Sequence, residues 1–466
     1  MGAVLTVLYL LVYYLTPAFL FGAFAEYRIE AFLLGLAILV SPIALMKTFA
    51  LKTSQAWALM GLTLAAMLSA VFGRHWLGGS ISAFLELLPN ALVYFLVCIH
   101  FKSKKRLQLL ILGLMLVCMF VVTRGLWDLQ RGVPENVLAP GTALGDPFQG
   151  GKTGSPYFLR YYDGNGGWSH RLQGLGVIND PNDFGQLLVC VIPLTFFFWE
   201  KKSALKNLLI VILPICVMVV GIYFTHSRGA LLALLAITIL AFSRKIGTIP
   251  SLILGACFFF AATALQFTGG RDISASAGED RTSLWGQGMD AFKTHPIFGV
   301  GLSQLPDYTD NHRTAHNSII VCVAELGIIG LFFWSMFLFA TLNDALFIAS
   351  PKRLTAGVPM NADVGPFPDL TPRMDELEKD EINRLGRAGF LSLFGFLFAG
   401  VFLSRAFVIT LFMLGALVES LYQMALNREM APPRRSMKKV LLGSAAMAVG
   451  LLVIMYLLVR ILNFFH

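Results

Sequence analysis

Three cationic side chains of this sequence are placed where they could hold an anion and move a proton. Arg228 lies in the segment THSRGA, Arg281 in DRTSLW, and His316 in HNSII. An arginine guanidinium binds phosphate through two parallel hydrogen bonds, and a histidine exchanges a proton near neutral pH. These residue types favour a site that grips an anionic lipid head group and activates a neighbouring hydroxyl.

Predicted helices position these side chains. Arg228 opens the predicted helix 229–242, where the N-terminal N–H groups and the helix dipole favour an anion, and His226 can donate a further hydrogen bond there. His316 leads into an apolar run that carries Glu325. An ionisable group inside such a run is costly, which makes Glu325 a candidate functional residue.

Each of these residues also has a plainer interpretation, which the sequence leaves open. Arg228 stands where an interfacial arginine anchors the end of a span by extending its charge to water. A lone histidine at a membrane edge is more often structural than catalytic, and His312 is a rival to His316 for any catalytic role. Glu325 is equally suited to pair with a buried polar group and hold helices together.

The composition identifies an integral membrane protein. Hydrophobic residues make up 56% of the chain and charged residues 14%, and the mean hydropathy is +0.71. A soluble domain has roughly 25% charged residues. The net charge of +9 therefore reflects basic cytoplasmic loops rather than nucleic-acid binding.

The hydropathy pattern predicts an all-α fold with about 12–13 transmembrane helices and two sizeable external segments. The candidate spans are 3–24, 31–46, 55–72, 81–99, 107–123, 184–199, 207–225, 229–242, 248–267, 317–343, 388–404, 406–426 and 440–459. The chain then divides into N-terminal helices (1–123), a first external loop (124–183), central helices (184–267), a second external segment (268–316), one helix (317–343), a cytoplasmic loop (344–387) and C-terminal helices (388–466).

Basic residues orient these spans, because cytoplasmic loops carry an excess of lysine and arginine. With the N-terminus inside, the clusters at 102–106, 201–206 and 428–439 are cytoplasmic and the three cationic residues are external. Among the external cations only Lys152 and Lys293 are lysines, and arginine is the better phosphate ligand. The alternative is that selection for orientation removed external lysines and spared arginines by chance. An odd number of spans would leave the C-terminus outside.

The remaining polar motifs favour structure over metal binding. Asp180 and Asp183 are either metal ligands or the turn and helix-start chemistry that Asp-Pro-Asn-Asp commonly provides. The six cysteines all fall in apolar runs, so neither disulfides nor a cysteine metal site is predicted. Arg171 faces outward and becomes a third anion ligand if the external loops fold together. No metal or cofactor is predicted.

Four segments, in this order, resemble the O-antigen ligase and polymerase superfamily of bacterial membrane glycosyltransferases. They are RLQGLGVINDPN at 171–182, THSRGA at 225–230, DRTSLW at 280–285 with PIFGVG at 296–301, and HNS at 316–318 with ELGIIG at 325–330. Together they cover just over a third of the chain, and the rest agrees only in having many spans. The superfamily more often shows Asn-Pro-Asn where this chain has Asn-Asp-Pro-Asn.

The resemblance implies a GT-C-like enzyme of the bacterial inner membrane with its site on the periplasmic face. A glycan would pass from undecaprenyl diphosphate to an acceptor hydroxyl, that of lipid A-core in a ligase, with inversion and without a metal. Arg228 and Arg281 would hold the diphosphate with help from Arg171, and His316 would orient or deprotonate the acceptor. The candidate substrate-binding set is Arg171, Arg228, Arg281, His226, His312 and Glu325.

The motif residues do not separate the activities within this superfamily. A ligase, an O-antigen polymerase and a protein O-oligosaccharyltransferase would share them, and the ligase is preferred only as the most familiar role. The more distant alternative is a transporter or flippase, which predicts broken helices and ionisable groups at mid-membrane. Few Gly and Pro interruptions and a concentration of cations at one face favour the enzyme.

Overall fold

The computed structural model describes residues 1–17, 27–42, 52–132, 135–137, 155–162, 168–264, 276–351, 353–354, 371–431 and 434–464. In chain order the elements begin with α1 (Gly2–Leu15), α2 (Ile29–Leu39), α3 (Ser54–Leu68, continued by a π turn, Ser69–Gly73), α4 (Gly79–His100), α5 (Lys104–Gln130), β1 (Glu135–Val137), β2 (Ser155–Tyr162), β3 (Trp168–Leu172) and α6 (Pro181–Leu194). They continue with α7 (Ala204–Thr225), α8 (Arg228–Ile246), α9 (Thr248–Ala264), α10 (Ser276–Thr294), α11 (Ser318–Ile348), α12 (Thr371–Gly400), α13 (Ile409–Asn427) and α14 (Met437–Phe464). Short 3₁₀ turns lie at Gly176–Ile178, Thr195–Phe198, Leu305–Tyr308 and Asp310–His312.

The helical membrane class is confirmed. Among the described residues, nine helices are long and apolar enough to cross a membrane, namely α3 to α8, α11, α13 and α14. The spans predicted at 3–24, 31–46 and 248–267 coincide with the shorter apolar helices α1, α2 and α9. The count is lower than the 12–13 predicted, because α1, α2 and α9 fall short of a span within the described residues and α12, which covers most of 388–404, is not among the nine.

The predicted division of 388–426 into two helices is confirmed. Helix α12 ends at Gly400 and α13 begins at Ile409, so the chain is not helical at the predicted break, Ser404-Arg405. The charged stretch 373–384, within the predicted cytoplasmic loop, is helical and forms the N-terminal part of α12.

The chain forms two compact units. Unit 1 comprises Met1–Val40, Lys104–Asp272 and Phe394–Ala399, and unit 2 comprises Ser41–Ser103, Ile273–Leu393 and Gly400–His466. Within unit 1, α6 packs on α7 and α8, and α5 packs on α1, α7 and β2. Within unit 2, α11 is central and packs against α3, α10, α13 and α14.

Unit 1 contains a small β-sheet that the all-α prediction did not include. Strand β2 pairs in parallel with β1 and antiparallel with β3, with Phe158 opposite Leu172. Tyr157 and Phe158 are buried, and their rings lie 6.3 Å from Phe120 and 6.5 Å from Phe224. An external loop rich in aromatic residues could offer a surface for stacking on sugars, but these two side chains are buried and do not form one. The Gly-rich stretch near 141–154 lies outside the described residues.

Helix α11 of unit 2 is broken at Gly327. This residue has φ 64° and ψ −163°, a backbone region that is essentially open only to glycine. A broken helix leaves N–H and C=O groups without their intrahelical partners, which is costly away from water. The sequence predicts one continuous span over 317–343, so this break is a correction.

The segment Pro296–Gly301 satisfies the backbone groups that the break leaves open. The N–H groups of Val300 and Gly301 donate to the carbonyls of Ala324 and Glu325 at 2.9 and 3.0 Å. In return, the N–H groups of Ile328 and Ile329 donate to the carbonyls of Pro296 and Ile297 at 2.9 and 3.4 Å. Two of the predicted motifs, PIFGVG and ELGIIG, are therefore joined by backbone hydrogen bonds.

This junction leaves no room for side chains. A Cβ atom on Gly327 would lie 2.3 Å from the Ile297 carbonyl oxygen, and one on Gly299 would lie 2.3 Å from the Glu325 carbonyl oxygen. A Cβ on Gly73, at the end of α3, would lie 1.9 Å from the Gly299 oxygen. Three chain segments therefore approach each other at backbone-to-backbone distance.

We expect Gly327→Ala to destabilise the protein by about 3 kcal/mol or more. Alanine would be strained at this φ and ψ, and its methyl group would collide with the Ile297 carbonyl, a backbone atom that cannot swing aside. Thermal unfolding of the purified protein in detergent should show a melting temperature lowered by several degrees, or the protein should fail to purify as a single species.

Gly450→Ala provides the matched control. Gly450 lies on α14 of the same unit, and no atom lies within 4 Å of the place that an alanine methyl group would occupy there. This variant should unfold at the wild-type temperature or slightly above it, since alanine favours a helix. Equal melting temperatures for the two variants would contradict the role of the break.

Candidate functional site

The turn between α7 and α8 places Arg228 in unit 1. Helix α7 ends at Thr225, His226 adopts a left-handed conformation with φ 48°, and Ser227 caps α8 by accepting the Ala230 N–H at 3.3 Å. Arg228 is thus the first residue of α8 and is half-buried. The predicted placement at a helix N-terminus is confirmed, and the dipole of α8 adds to the charge of Arg228.

Arg171 holds this turn in place. Its side chain is only 6% exposed, and its Nε donates to the Thr225 carbonyl at 2.7 Å. One terminal nitrogen donates to Asn182 Oδ1 at 2.8 Å, at the start of α6. The motifs RLQGLGVINDPN and THSRGA therefore meet through one guanidinium, which ties β3, α6 and the end of α7 together.

At the start of α6, Asp180 caps the helix, as the helix-start interpretation of this motif predicts. Asp180 Oδ1 accepts the N–H groups of Asn182 and Asp183 at 2.7 and 3.3 Å, and Pro181 occupies the first turn. Gly185 lies against the α7–α8 turn, since a Cβ there would approach Ala230 Cβ to 2.8 Å. The Asp180 side chain is a helix cap, which agrees with the helix-start interpretation rather than with a metal ligand.

Helix α10 of unit 2 carries Arg281 on its packed face. Positions 281, 284, 285 and 288 recur at helical spacing, and Leu284 and Trp285 are 5% and 7% exposed. Gly288 contacts the start of α11, where a Cβ on it would lie 2.5 Å from Ile320. Arg281 is half-buried and lies two turns, about 10 Å along the axis, before that contact.

The indole nitrogen of Trp285 is a further polar group near Arg281 that the sequence motifs did not indicate. Its indole Nε1 is buried and has no hydrogen-bond partner among the described residues. Buried N–H groups are rarely left unsatisfied, so such a group suggests a missing ligand or water. Trp285 follows Arg281 by four residues, one helical turn, so both side chains lie on the same face of α10.

His316 occupies the same kind of turn in unit 2 as His226 does in unit 1. It is half-buried with φ 47°, and it directly precedes Asn317, which caps α11 by accepting the N–H groups of Ile319 and Ile320 at 2.9 and 3.2 Å. A non-glycine residue in this conformation is strained and persists only where its surroundings enforce it.

The loop between α12 and α13 supplies that enforcement. The His316 N–H donates to Ser404 Oγ at 2.9 Å, and Ser404 Oγ also lies 2.5 Å from Thr314 Oγ1. Ser318 Oγ donates to the Leu403 carbonyl at 2.7 Å and accepts the Arg405 N–H at 3.0 Å. The sequence marked Ser404-Arg405 only as a helix break, so its role in holding His316 was missed.

His312 also has a left-handed backbone conformation, with φ 51°, but it differs from His316 in exposure and contacts. It is exposed, in a 3₁₀ turn whose first residue, Asp310, is fastened to α10. Gln287 Nε2 donates to Asp310 Oδ2 at 2.8 Å, and the Asp310 N–H donates to Gln287 Oε1 at 2.7 Å. The structure therefore gives His316, rather than His312, the partly enclosed position.

Glu325 lies two residues before the break in α11 and is only 3% exposed. Its Oε2 accepts the Ser303 N–H at 3.0 Å, while Ser303 Oγ donates to Glu86 Oε1 at 2.6 Å. Its backbone carbonyl accepts Ser69 Oγ at 2.6 Å. These contacts match the pairing interpretation that the sequence left open, and they make Glu325 a positioning residue for the segment after Gly301.

The predicted residues are divided between the two units. Arg171, His226 and Arg228 lie at or next to the α7–α8 turn of unit 1. In unit 2, Arg281 lies on α10, His312 and His316 lie between α10 and α11, and Glu325 lies within α11. Residues that sequence reasoning missed, such as Ser404 and Gln287, act through hydrogen bonds to other segments of the chain, for which no spacing pattern exists.

One family model matches the chain. Residues 213–335 match the Wzy_C family, described as O-antigen ligase, a range that runs from within α7 to beyond the break in α11 and contains Arg228, Arg281 and His316. Arg171 lies outside it. No curated protein matches the sequence. The family implies a glycan-transferring enzyme of the bacterial membrane that uses lipid-linked glycans. The chain, a multi-pass membrane protein, therefore contains an O-antigen ligase family domain at residues 213–335.

Proposed function

We propose that this protein is a ligase-type glycosyltransferase. It moves a glycan from undecaprenyl diphosphate to an acceptor hydroxyl, that of lipid A-core, on the periplasmic face of the inner membrane. The observation that carries the proposal is His316, which is half-buried and held in a strained conformation by Ser404 directly before the capped start of α11. Enforced strain of this kind is typical of functional sites.

Arg228 binds the diphosphate of the donor. The N-terminal N–H groups of α8 and the Arg228 guanidinium both favour an anion at this position. Arg171 acts behind it: by donating to the Thr225 carbonyl it fixes the turn, so the geometry of Arg228 is set before substrate arrives. Preorganised charges stabilise a transition state without reorganisation during the reaction.

Arg281 provides the second guanidinium for the diphosphate. The Trp285 Nε1–H, one turn further along the same face of α10, is a buried donor available to the same substrate. The two side chains would interact differently with the diphosphate: arginine neutralises charge, whereas an indole N–H only donates a hydrogen bond.

His316 serves the acceptor. It removes the proton from the acceptor hydroxyl while the oxygen attacks the anomeric carbon from the face opposite the diphosphate. The bond between the anomeric carbon and the diphosphate oxygen breaks with inversion, and undecaprenyl diphosphate leaves with the bonding electron pair. Arg228 and Arg281 stabilise the negative charge that develops on it, so the proposed step needs no metal.

The test of this function is reconstitution of the full-length protein with an undecaprenyl-diphosphate-linked glycan. The acceptors offered are lipid A-core, a second lipid-linked glycan unit and a serine-containing acceptor protein. Transfer to lipid A-core that continues in EDTA supports the ligase. Elongation of the lipid-linked glycan alone identifies a polymerase, and transfer to the protein identifies an O-oligosaccharyltransferase. Solute uptake into vesicles without any transfer would identify a transporter.

Replacing Arg228 or Arg281 by alanine should reduce transfer by about 10²–10³-fold or more, because each removes a charged donor to the diphosphate. Arg→Lys at either position should fail to restore the rate, since an ammonium cannot form the bidentate contact. Single-turnover rates with a labelled donor measure the effect. Lys293→Ala is the control, as Lys293 is an exposed cation of α10 paired with Asp290. Full activity in both arginine variants would remove these residues from the site.

His316→Ala should slow transfer by about 10²–10⁴-fold, which is the contribution of a general base. His312→Ala should cost less than about tenfold, because His312 is exposed and not held against the start of α11. Both variants should keep the wild-type melting temperature within a few degrees. The reverse order of the two effects would transfer the role of base to His312.

A further inference from the structure

A cavity of about 280 Å³ with several charged side chains in its lining lies in unit 2, away from the candidate site. It is lined by Asp344 and Phe347 in the last turns of α11, whereas His316 precedes the first turn of that helix. After the break at Gly327, the continuous part of α11 runs on to Ile348 and rises about 30 Å, so the cavity and His316 lie toward opposite ends of α11. The basic residues around the cavity place it at the cytoplasmic side.

A buried network forms one wall of this cavity. Arg434 makes an ion pair with Glu419, which is 1% exposed, and its guanidinium stands 5.4 Å over the ring of Tyr422. Gln55 donates to Asp344 Oδ2 at 2.8 Å and accepts from Arg434 at 3.4 Å. These contacts bring three helices and the α13–α14 loop into one polar assembly.

The network leaves Arg434 charged and incompletely bonded. Burial lowers the pKa of its guanidinium, but the charge and hydrogen bond of Glu419, together with Asp344 and Tyr94, outweigh burial and raise that pKa above its ordinary value. Arg434 Nε is buried and has no hydrogen-bond partner among the described residues. A charged donor in a cavity wall with an open bond indicates that an acceptor belongs beside it.

Two further guanidinium groups line the cavity. Arg353, after α11, and Arg435, before α14, are both exposed, and neither forms an ion pair with another described residue. Asp344 and Glu419 are already engaged by Gln55 and Arg434. The cavity therefore presents an excess of positive charge as arginine, the residue that binds phosphate in a forked geometry.

We propose that this cavity binds a phosphate-bearing anion from the cytoplasmic side, either the head group of an anionic phospholipid or a soluble phosphate. Its volume lies just below the ~300–1,000 Å³ of pockets for drug-sized ligands, which suits a head group rather than a larger molecule. Arg434 lines the wall, and Arg353 and Arg435 close on the anion from the mouth. This site is independent of the proposed glycan transfer.

Full-length protein with two double substitutions tests the proposal. Arg353→Ala/Arg435→Ala removes the two exposed cavity arginines. Lys438→Ala/Lys439→Ala removes the same charge from two exposed lysines at the start of α14 that do not line the cavity. Thermal unfolding is measured in neutral detergent with added inorganic phosphate, and in nanodiscs of phosphatidylcholine with or without phosphatidylglycerol. Arg228→Ala is included because phosphate could also bind the proposed donor site.

We expect phosphate or phosphatidylglycerol to raise the melting temperature of the wild type, of the lysine variant and of Arg228→Ala. In the arginine variant the apparent affinity should fall about tenfold or more. Stabilisation by phosphatidylglycerol alone identifies a lipid, and stabilisation by free phosphate identifies a soluble ligand. Equal loss in both double variants, or no stabilisation of the wild type, would overturn the proposal. Loss only in Arg228→Ala would place the anion at the donor site instead.

Discussion

The break in α11 at Gly327 is the constraint on which the rest of unit 2 depends. A helix interrupted among apolar surroundings must find partners for its open backbone groups, and the segment Pro296–Gly301 provides them by pairing along both sides of the break. Glu325 extends the same junction through the Ser303 N–H. The path of the chain from the end of α10 to the start of α11 is thereby anchored, and His316 lies on that path.

The two units share one local device, a left-handed histidine immediately before a capped helix. His226 precedes Ser227 and α8, and His316 precedes Asn317 and α11, with φ near 48° in both cases. In each unit a group distant in sequence holds the strained turn: Arg171 donates to Thr225, and Ser404 accepts from His316. Such turns direct side chains and backbone N–H groups from a helix start in a preset geometry, which suits the binding of a charged substrate.

The sequence anticipated features that depend on local composition. Apolar length predicted where the spans lie, and the excess length of 388–426 predicted the break at Ser404-Arg405. Helix-start chemistry was one of the two interpretations of Asp180 and Asp183, and in the structure Asp180 caps the start of α6. The sequence did not predict the strands, because Tyr157 and Phe158 are buried against helices that only the folded chain brings near.

By itself, the sequence determined the membrane class, the helix starts and the residue types available for chemistry, since hydropathy and capping act over a few neighbouring residues. The tertiary structure alone decided what those residues do. In the folded chain Arg171 donates to the Thr225 carbonyl, and Glu325 accepts the Ser303 N–H. The Nε1 of Trp285 has no partner among the described residues. Each of these outcomes depends on whether residues that are distant in the chain form a hydrogen bond. Such contacts leave no periodic pattern in the sequence.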